Sequence, residues 1–253
     1  MKLYKYRDLE KAWNTLDIIF NRRLYLAPLD SLNDPMELKT EQAKDIIESH
    51  LSDSGIDYAR LLKDSEISFA KDLAQKGLLS EELVNANIRD YTLDLSTRSY
   101  GRVCSLSADP RNITMWSHYA NGHKGVCLEF DLVSAKPIIY MNAERFQKEF
   151  SASHMSRLLS RIDNKETVKK MAYLIEKLRR LYATKSSDWA YENEWRIWRE
   201  EKHYNLKGSE CLSRILVGSR ISSFHYDILF QLVPSNVPIV RTELIAGEVR
   251  EVS

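Results

Sequence analysis

The chain has 253 residues, with 37 Lys plus Arg against 36 Asp plus Glu, and a net charge of +1. That balance gives no bulk attraction to nucleic acid or acidic membrane, while leaving room for a local basic patch. Three widely spaced cysteines, Cys104, Cys127 and Cys211, do not form a disulfide framework and suit a reducing cytosol.

The opening Met-Lys-Leu-Tyr-Lys-Tyr-Arg has no apolar signal core, and no run approaches the roughly 20 apolar residues of a membrane helix. A soluble, cytoplasmic protein is expected. Alternation over Leu3–Arg7 predicts a first strand, with Arg7 at or near its end. A helix over Leu9–Asn21 and a strand over Arg23–Ala27, stopped by Pro28, follow. Asn33-Asp34-Pro35 is a turn signal, in which Asp34 is pushed out of the helical region and Pro35 suits a first helical turn. Residues 40–98 are polar, with Leu and Ile at helical spacing, and predict two or three helices. Their role as a lid or a packing unit is open.

Gly101–Ser107 returns to a strand pattern in which Ser105 and Ser107 point to one side, and Cys104 is expected to be a buried small residue. Ile113–Ala120 predicts a short helix carrying Trp116, His118 and Tyr119, ended by Asn121-Gly122. His123-Lys124-Gly125 leads into a buried strand, Val126–Phe130. His118 and His123 lack the cysteine pair or acidic triad that a metal site needs, so no metal is expected. A strand at Lys136–Tyr140 precedes two helices, Ala143–Ser160 and Glu166–Lys185. The second is basic, and its lysines and arginines make either a solvated face or a surface for a phosphate-rich partner. Strands at Ser213–Gly218 and Val237–Arg241 flank a helix at Ile221–Gln231.

The richest stretch is Trp189–Trp198. It is read as a strand with Tyr191, Asn193, Trp195 and Ile197 on one side and Glu192, Glu194, Arg196 and Trp198 on the other, although Glu and Arg also suit helices. Two carboxylates and a guanidinium on one face build a polar site or an ion-pair ladder. The total is roughly eight strands and six helices. It predicts a single α+β domain over 1–253 with a mixed, mostly antiparallel sheet, a large helical insertion at about 40–98 and a second helical segment at about 143–185. No G-x-G-x-x-G and no Walker loop is present, which disfavours Rossmann dehydrogenases and P-loop NTPases.

Tyr4-Lys5-Tyr6-Arg7, Asn33-Asp34-Pro35-Met36-Glu37, Cys104–Ser107, Trp116–Tyr119, Lys124–Phe130, Trp189–Arg196 and Ile215–Gly218 together resemble a bacterial and phage family classed as a domain of unknown function. Some of its members lie near phage-defence or abortive-infection genes. Its motifs contain Asn33, Asp34, Trp116, Lys124 and Arg196, which with Lys185 are further site candidates. The order Arg7, then Ser105 and Ser107, then Glu192 and Glu194 resembles ADP-ribosyltransferases of the arginine, serine, glutamate type. That resemblance implies NAD as co-substrate and one cleft, wide enough for a dinucleotide, in which Arg7, Ser105 and Glu194 meet. In it Arg7 grips the pyrophosphate, Ser105 and Ser107 brace the nicotinamide ribose, Glu194 steadies an oxocarbenium-like ribose, and Glu192 orients the acceptor. Tyr119, Trp189 and Tyr191 would stack on nicotinamide. Two other readings stay open: a non-catalytic, toxin-like defence effector binding through residues 169–185 or Trp116, and a metal-dependent nuclease or hydrolase using His118, Glu129 and Glu192 or Glu194. A small nucleotide partner fits the first reading. Membrane partners are not expected, and the sequence leaves nucleic-acid or protein targets and oligomeric state undetermined.

Overall fold

The computed structural model describes residues 1–10, 13–32, 101–150 and 180–252. In chain order they form β1 (Lys2–Arg7), α1 (Trp13–Asn21), β2 (Arg23–Tyr25), β3 (Ala27–Pro28), β4 (Arg102–Ser107) and α2 (Ile113–Tyr119). Then come β5 (Val126–Asp131), β6 (Lys136–Pro137), β7 (Ile139–Met141), α3 (Ala143–Phe150), β8 (Thr184–Ser186), β9 (Glu194–Arg199) and β10 (His203–Asn205). The chain closes with β11 (Cys211–Val217), α4 (Ser223–Leu232), β12 (Ile239–Ile245) and β13 (Glu248–Val252).

Two compact units emerge. One takes Met1–Pro28, Arg102–Ile138 and Asp188–Ser253; the other takes Leu29–Gly101 and Ile139–Ser187. In the second unit β7 and β8 pair in parallel, so Thr184–Ser186 is extended and not the helix end expected there. The helical block expected at 40–98 and residues 151–179 lie outside the described residues.

The first unit holds a sheet in the order β13-β12-β11-β5-β1-β4-β9-β6, with β3 also paired to β4. Each neighbouring pair along that order is antiparallel except β11 with β12. This is the mixed, mostly antiparallel α+β architecture that the sequence predicts. Pro28 belongs to the short β3 opposite Arg102, at the end of that pairing, where a missing N–H is tolerated.

The alternation of apolar residues fixes what each sheet face covers. Leu3, Cys104, Leu106, Val126, Leu128, Phe130, Ile197, Ile215 and Val217 pack on one side with Ile18 and Ile19 of α1 and Leu229 of α4. Tyr4, Tyr6, Cys127 and Leu216 pack on the other with Met115 and Trp116 of α2, with Ala120 just past its end and with Val249. Each fully buried large side chain stabilises by roughly 1.5–3 kcal/mol. Trp116, fully buried, meets Tyr6 edge-on at 5.4 Å and donates from Nε1 to the Pro110 carbonyl at 2.8 Å. That contact seats α2 on β1.

The loop from α2 to β5 turns through three left-handed residues, Asn121 (φ 49°), Gly122 (φ 59°) and His123 (φ 67°). His123 stacks on Trp116 at 5.8 Å, which helps hold a conformation that a non-glycine residue rarely adopts. Gly125 is required by proximity. A Cβ there would lie 2.1 Å from the Arg7 carbonyl, so the end of β1 is packed backbone to backbone. Gly218 is equally confined, with a Cβ 2.2 Å from the His123 carbonyl.

Charges tie the strands along one edge of this face. The Glu129 carboxylate accepts from Lys2 Nζ at 2.6 Å and from Arg214 Nε at 2.6 Å, and Arg214 forks onto Glu251 at 2.7 and 3.1 Å. Burial pushes the Glu129 carboxyl up, but its bonds to Lys2 and Arg214 outweigh burial and hold it below the usual 4.5.

Gly125→Ala lowers stability by roughly 1–3 kcal/mol or more, measured by denaturant unfolding, because neither backbone can yield cheaply. Glu129 stabilises the fold wherever it is ionised, so its contribution is present above the ordinary carboxyl value and is lost as pH falls through the depressed folded value. Stability measured from pH 6 downward therefore falls less steeply in Glu129→Gln than in the wild type.

Candidate functional site

β9 runs antiparallel to β4, placing Ser107 opposite Glu194 and Ser105 opposite Arg196, while Tyr4 of β1 lies opposite Ser107. Directly paired residues point to the same face. Ser105, Ser107, Glu194 and Arg196 therefore project from the side of the sheet that carries α2. Trp195 and Ile197 project to the other side, against the larger core.

Glu194 and Arg196 form a bidentate pair, with Nε to Oε1 at 2.6 Å and Nη2 to Oε2 at 3.0 Å. Their side chains are 3 % and 2 % exposed. A pair so shielded is charge-neutral as a unit, and its fork geometry fixes both side chains. Glu194 is thus held by a guanidinium two residues along its own strand.

The sequence predicts that the strand begins before Glu192, and here the structure differs. Ser187–Glu192 is a 3-10 turn, and Asn193 reverses the chain at φ 44°. Asparagine tolerates that left-handed geometry better than most residues. Glu192 is consequently placed by the turn and not by strand alternation. Several hydrogen bonds pin it. Ser107 Oγ donates to the Glu192 carbonyl at 2.7 Å, Asn112 Nδ2 donates to the Tyr191 carbonyl at 2.7 Å, and the Ala108 amide donates to the Asn193 carbonyl at 2.9 Å. Asn112 also caps α2, its Oδ1 accepting from the Met115 amide at 3.0 Å. One asparagine thereby joins the start of the helix to the turn.

The side chain of Glu192 is 4 % exposed and accepts from the Tyr119 hydroxyl at 2.7 Å. Around it lies a chain of aromatic contacts: Trp189 to Tyr191 at 6.1 Å, Tyr191 to His118 at 6.3 Å and His118 to Tyr119 at 6.3 Å. Trp189, Tyr191 and Tyr119 are half-buried and His118 is exposed. A buried carboxylate lies beside rings that solvent still reaches. That combination suits a ligand with a planar ring and a polar or cationic centre.

Other expected site residues lie elsewhere. Arg7 alternates with Tyr6 and shares the face of Leu3, so it projects from the side of the sheet opposite Glu194; the single cleft expected for Arg7, Ser105 and Glu194 is not formed. Ser107 binds backbone, and Ser105 contributes its carbonyl to Lys5 Nζ at 2.5 Å. Trp116 is core. Lys124 is exposed on the α2–β5 loop, and Lys185 is buried on β8 of the second unit. Asn33 and Asp34 lie outside the described residues. Glu129 is committed to Lys2 and Arg214, away from His118. No three His, Cys, Asp or Glu side chains converge to hold a metal among the described residues.

Sequence reasoning passed over Asn112 and Lys5. Asn112, just before the apolar Ile113, carries the ordinary N-cap signal. Lys5 sits between Leu3 and Arg7 on the alternating strand, and its position on a core-facing side was the available clue.

A family model described as "Protein of unknown function (DUF2971)" matches residues 115–197. That span runs from α2 through most of β9 and contains every ring and carboxylate of the site above. No curated protein and no solved structure matches the chain.

Arg196→Met removes the guanidinium forked onto the buried Glu194 carboxylate, and costs roughly 3–5 kcal/mol in chemical unfolding. The double variant Glu194→Leu/Arg196→Met recovers part of that loss, since both members of the fork are then removed together.

Proposed function

We propose that the protein binds an NAD-class nucleotide on the α2 face of the sheet and cleaves its nicotinamide–ribose bond, passing the ADP-ribosyl group to water or to an acceptor. The observation that supports this is the Glu192 carboxylate, shielded from solvent, held by Tyr119 and adjoining the Trp189–Tyr191–His118 rings. Nicotinamide is a flat cationic ring while attached to ribose, and such rings favour aromatic faces. Cleavage breaks the C1′–N bond, and its electron pair leaves with nicotinamide, which departs neutral. Positive charge then develops on the ribose C1′ and ring oxygen. A carboxylate fixed in a low-dielectric setting stabilises that charge more than water does. The incoming hydroxyl or water forms the new C1′–O bond and releases its proton to Glu192 or to solvent.

In this reading Glu192 is the catalytic carboxylate. Glu194 and Arg196 are positioning residues that lock β9, and Ser107 and Asn112 hold the turn. The reading departs from the order implied by the ADP-ribosyltransferase resemblance, in which Glu194 meets the ribose and Arg7 lines the same cleft. A defence effector is the biological setting that the family resemblance suggests for such an activity, since loss of NAD arrests a cell.

The metal-dependent hydrolase reading has less support, because His118, Glu129 and Glu192 serve separate contacts. The test is nicotinamide release from NAD⁺ by the full chain. Glu192→Gln keeps the Tyr119 bond and the fold, and lowers release at least about 100-fold; Tyr119→Phe lowers it by a smaller factor. Release that survives Glu192→Gln, or no release with or without a cell extract as acceptor source, contradicts the proposal.

A further inference from the structure

β13 is the last strand of the sheet, and among the described residues no strand pairs with its outer side. A groove of about 750 Å³ runs beside it, with residues 247–251 as one wall and residues 111–113, at the start of α2, as the other. Side chains alternate along a strand, so Val249 and Glu251 face α2 while Glu248 and Arg250 face away. A groove touched by all four follows the edge of the strand and not one of its faces.

The hairpin fixes what that edge offers. Ile245 pairs with Glu248 across the two-residue turn Ala246-Gly247, whose positive φ values, 51° and 80°, are those of a type I′ turn. The pair that closes such a turn is hydrogen-bonded, and along an antiparallel ladder hydrogen-bonded pairs alternate with pairs that are not. Val249, opposite Leu244, and Glu251, opposite Thr242, fall at the second kind. Both turn their N–H and C=O groups away from β12 and toward the groove.

Charges ordinarily blunt an open edge. Here they are answered from within the chain: Arg250 Nη2 lies 3.0 Å from Glu248 Oε2, and Arg214 forks onto Glu251. Arg111 is the exception. It is exposed, and among the described residues its guanidinium makes no ion pair; its amide donates to Asp109 Oδ1 at 2.8 Å. Beside it Ile113 is 36 % exposed. The groove thus offers main-chain donors and acceptors at two-residue spacing, an apolar side chain and one open positive charge. A second copy of β13 fits it poorly. Pairing Val249 with the copy's Glu251 sets Arg250 opposite Arg250, and like charges directly opposed are destabilising.

We propose that this groove binds an extended segment of a partner protein, which adds to β13 as a further strand and sets a carboxylate side chain against Arg111. Main-chain bonds to Val249 and Glu251 supply affinity, and the charge on Arg111 selects acidic segments. The site does not rest on the nucleotide-cleavage reading.

Random peptides displayed on phage, selected on the immobilised full chain and then synthesised, test this by fluorescence anisotropy. The selected peptides are expected to carry Asp or Glu among β-branched residues. Their affinity falls at least about tenfold in Arg111→Glu. It falls further in Glu251→Pro than in Glu251→Ala: both lose the bond to Arg214, but the proline alone removes the outward amide, at an edge position that tolerates proline. Each variant is checked for native circular dichroism. Slower hydrogen exchange at the Val249 and Glu251 amides of the wild type, on adding peptide, reads the pairing without any substitution. Selection that yields no saturable binder, peptides that bind Arg111→Glu as tightly as the wild type, or unchanged exchange at both amides overturns the proposal. So does a wild-type dimer that Glu251→Pro dissolves, since the edge is then covered by a second copy.

Discussion

The arrangement of the site depends on one buried ion pair, Glu194 with Arg196. Two charges this far from water are tolerable only together, so each dictates where the other lies. They sit in consecutive same-face positions of β9, opposite Ser107 and Ser105, and thereby set the register of β9 on β4. A slip of one residue would turn both charges into the apolar core on the other side of the sheet and turn Trp195 and Ile197 out of it. With the register set, the chain immediately before Glu194 has one course. Asn193 reverses it, and Glu192 arrives against Tyr119 at the end of α2.

That geometry separates two carboxylates that look equivalent along the chain. Glu194 has its charge answered by a guanidinium in its own strand. Glu192 is held by a neutral hydroxyl, next to rings that solvent still reaches. Division of labour between neighbouring acids through their surroundings is a general device for building reactive sites.

Much of this was legible along the chain, and the exceptions have physical causes. Apolar alternation placed β1, β4, β5 and β11, and Asn121-Gly122 marked the end of α2, because burial of alternate residues leaves a direct trace in sequence. Ser105 and Ser107 were correctly placed on one face. The segment from Trp189 was misread at its start: Tyr and Trp favour strands, but Asn193 can adopt φ > 0 and interrupts the alternation, so Glu192 leaves the strand. Arg7 was expected beside Glu194, an expectation based on chain order, whereas parity along β1 puts it on the opposite face. Thr184 and Lys185 close the helix that the apolar stripe Met171-Leu174-Leu178-Leu181-Tyr182 predicts over Glu166–Lys185, and pairing with β7 overrides that periodicity at its end. The partnership of Glu194 with Arg196 was visible as a possible ladder, but its burial was not, since burial is set by α2 and by strands distant in sequence.

The central claim is that a ligand's ribose meets Glu192 beneath the Trp189 and Tyr191 rings. A crystal structure of the full chain grown with ADP-ribose addresses it most directly. Density for the ribose is expected within hydrogen-bonding reach of the Glu192 carboxylate, with Glu194 still forked onto Arg196. A ribose seated against Glu194 after that pair has opened, or no ribose within reach of Glu192, would contradict it.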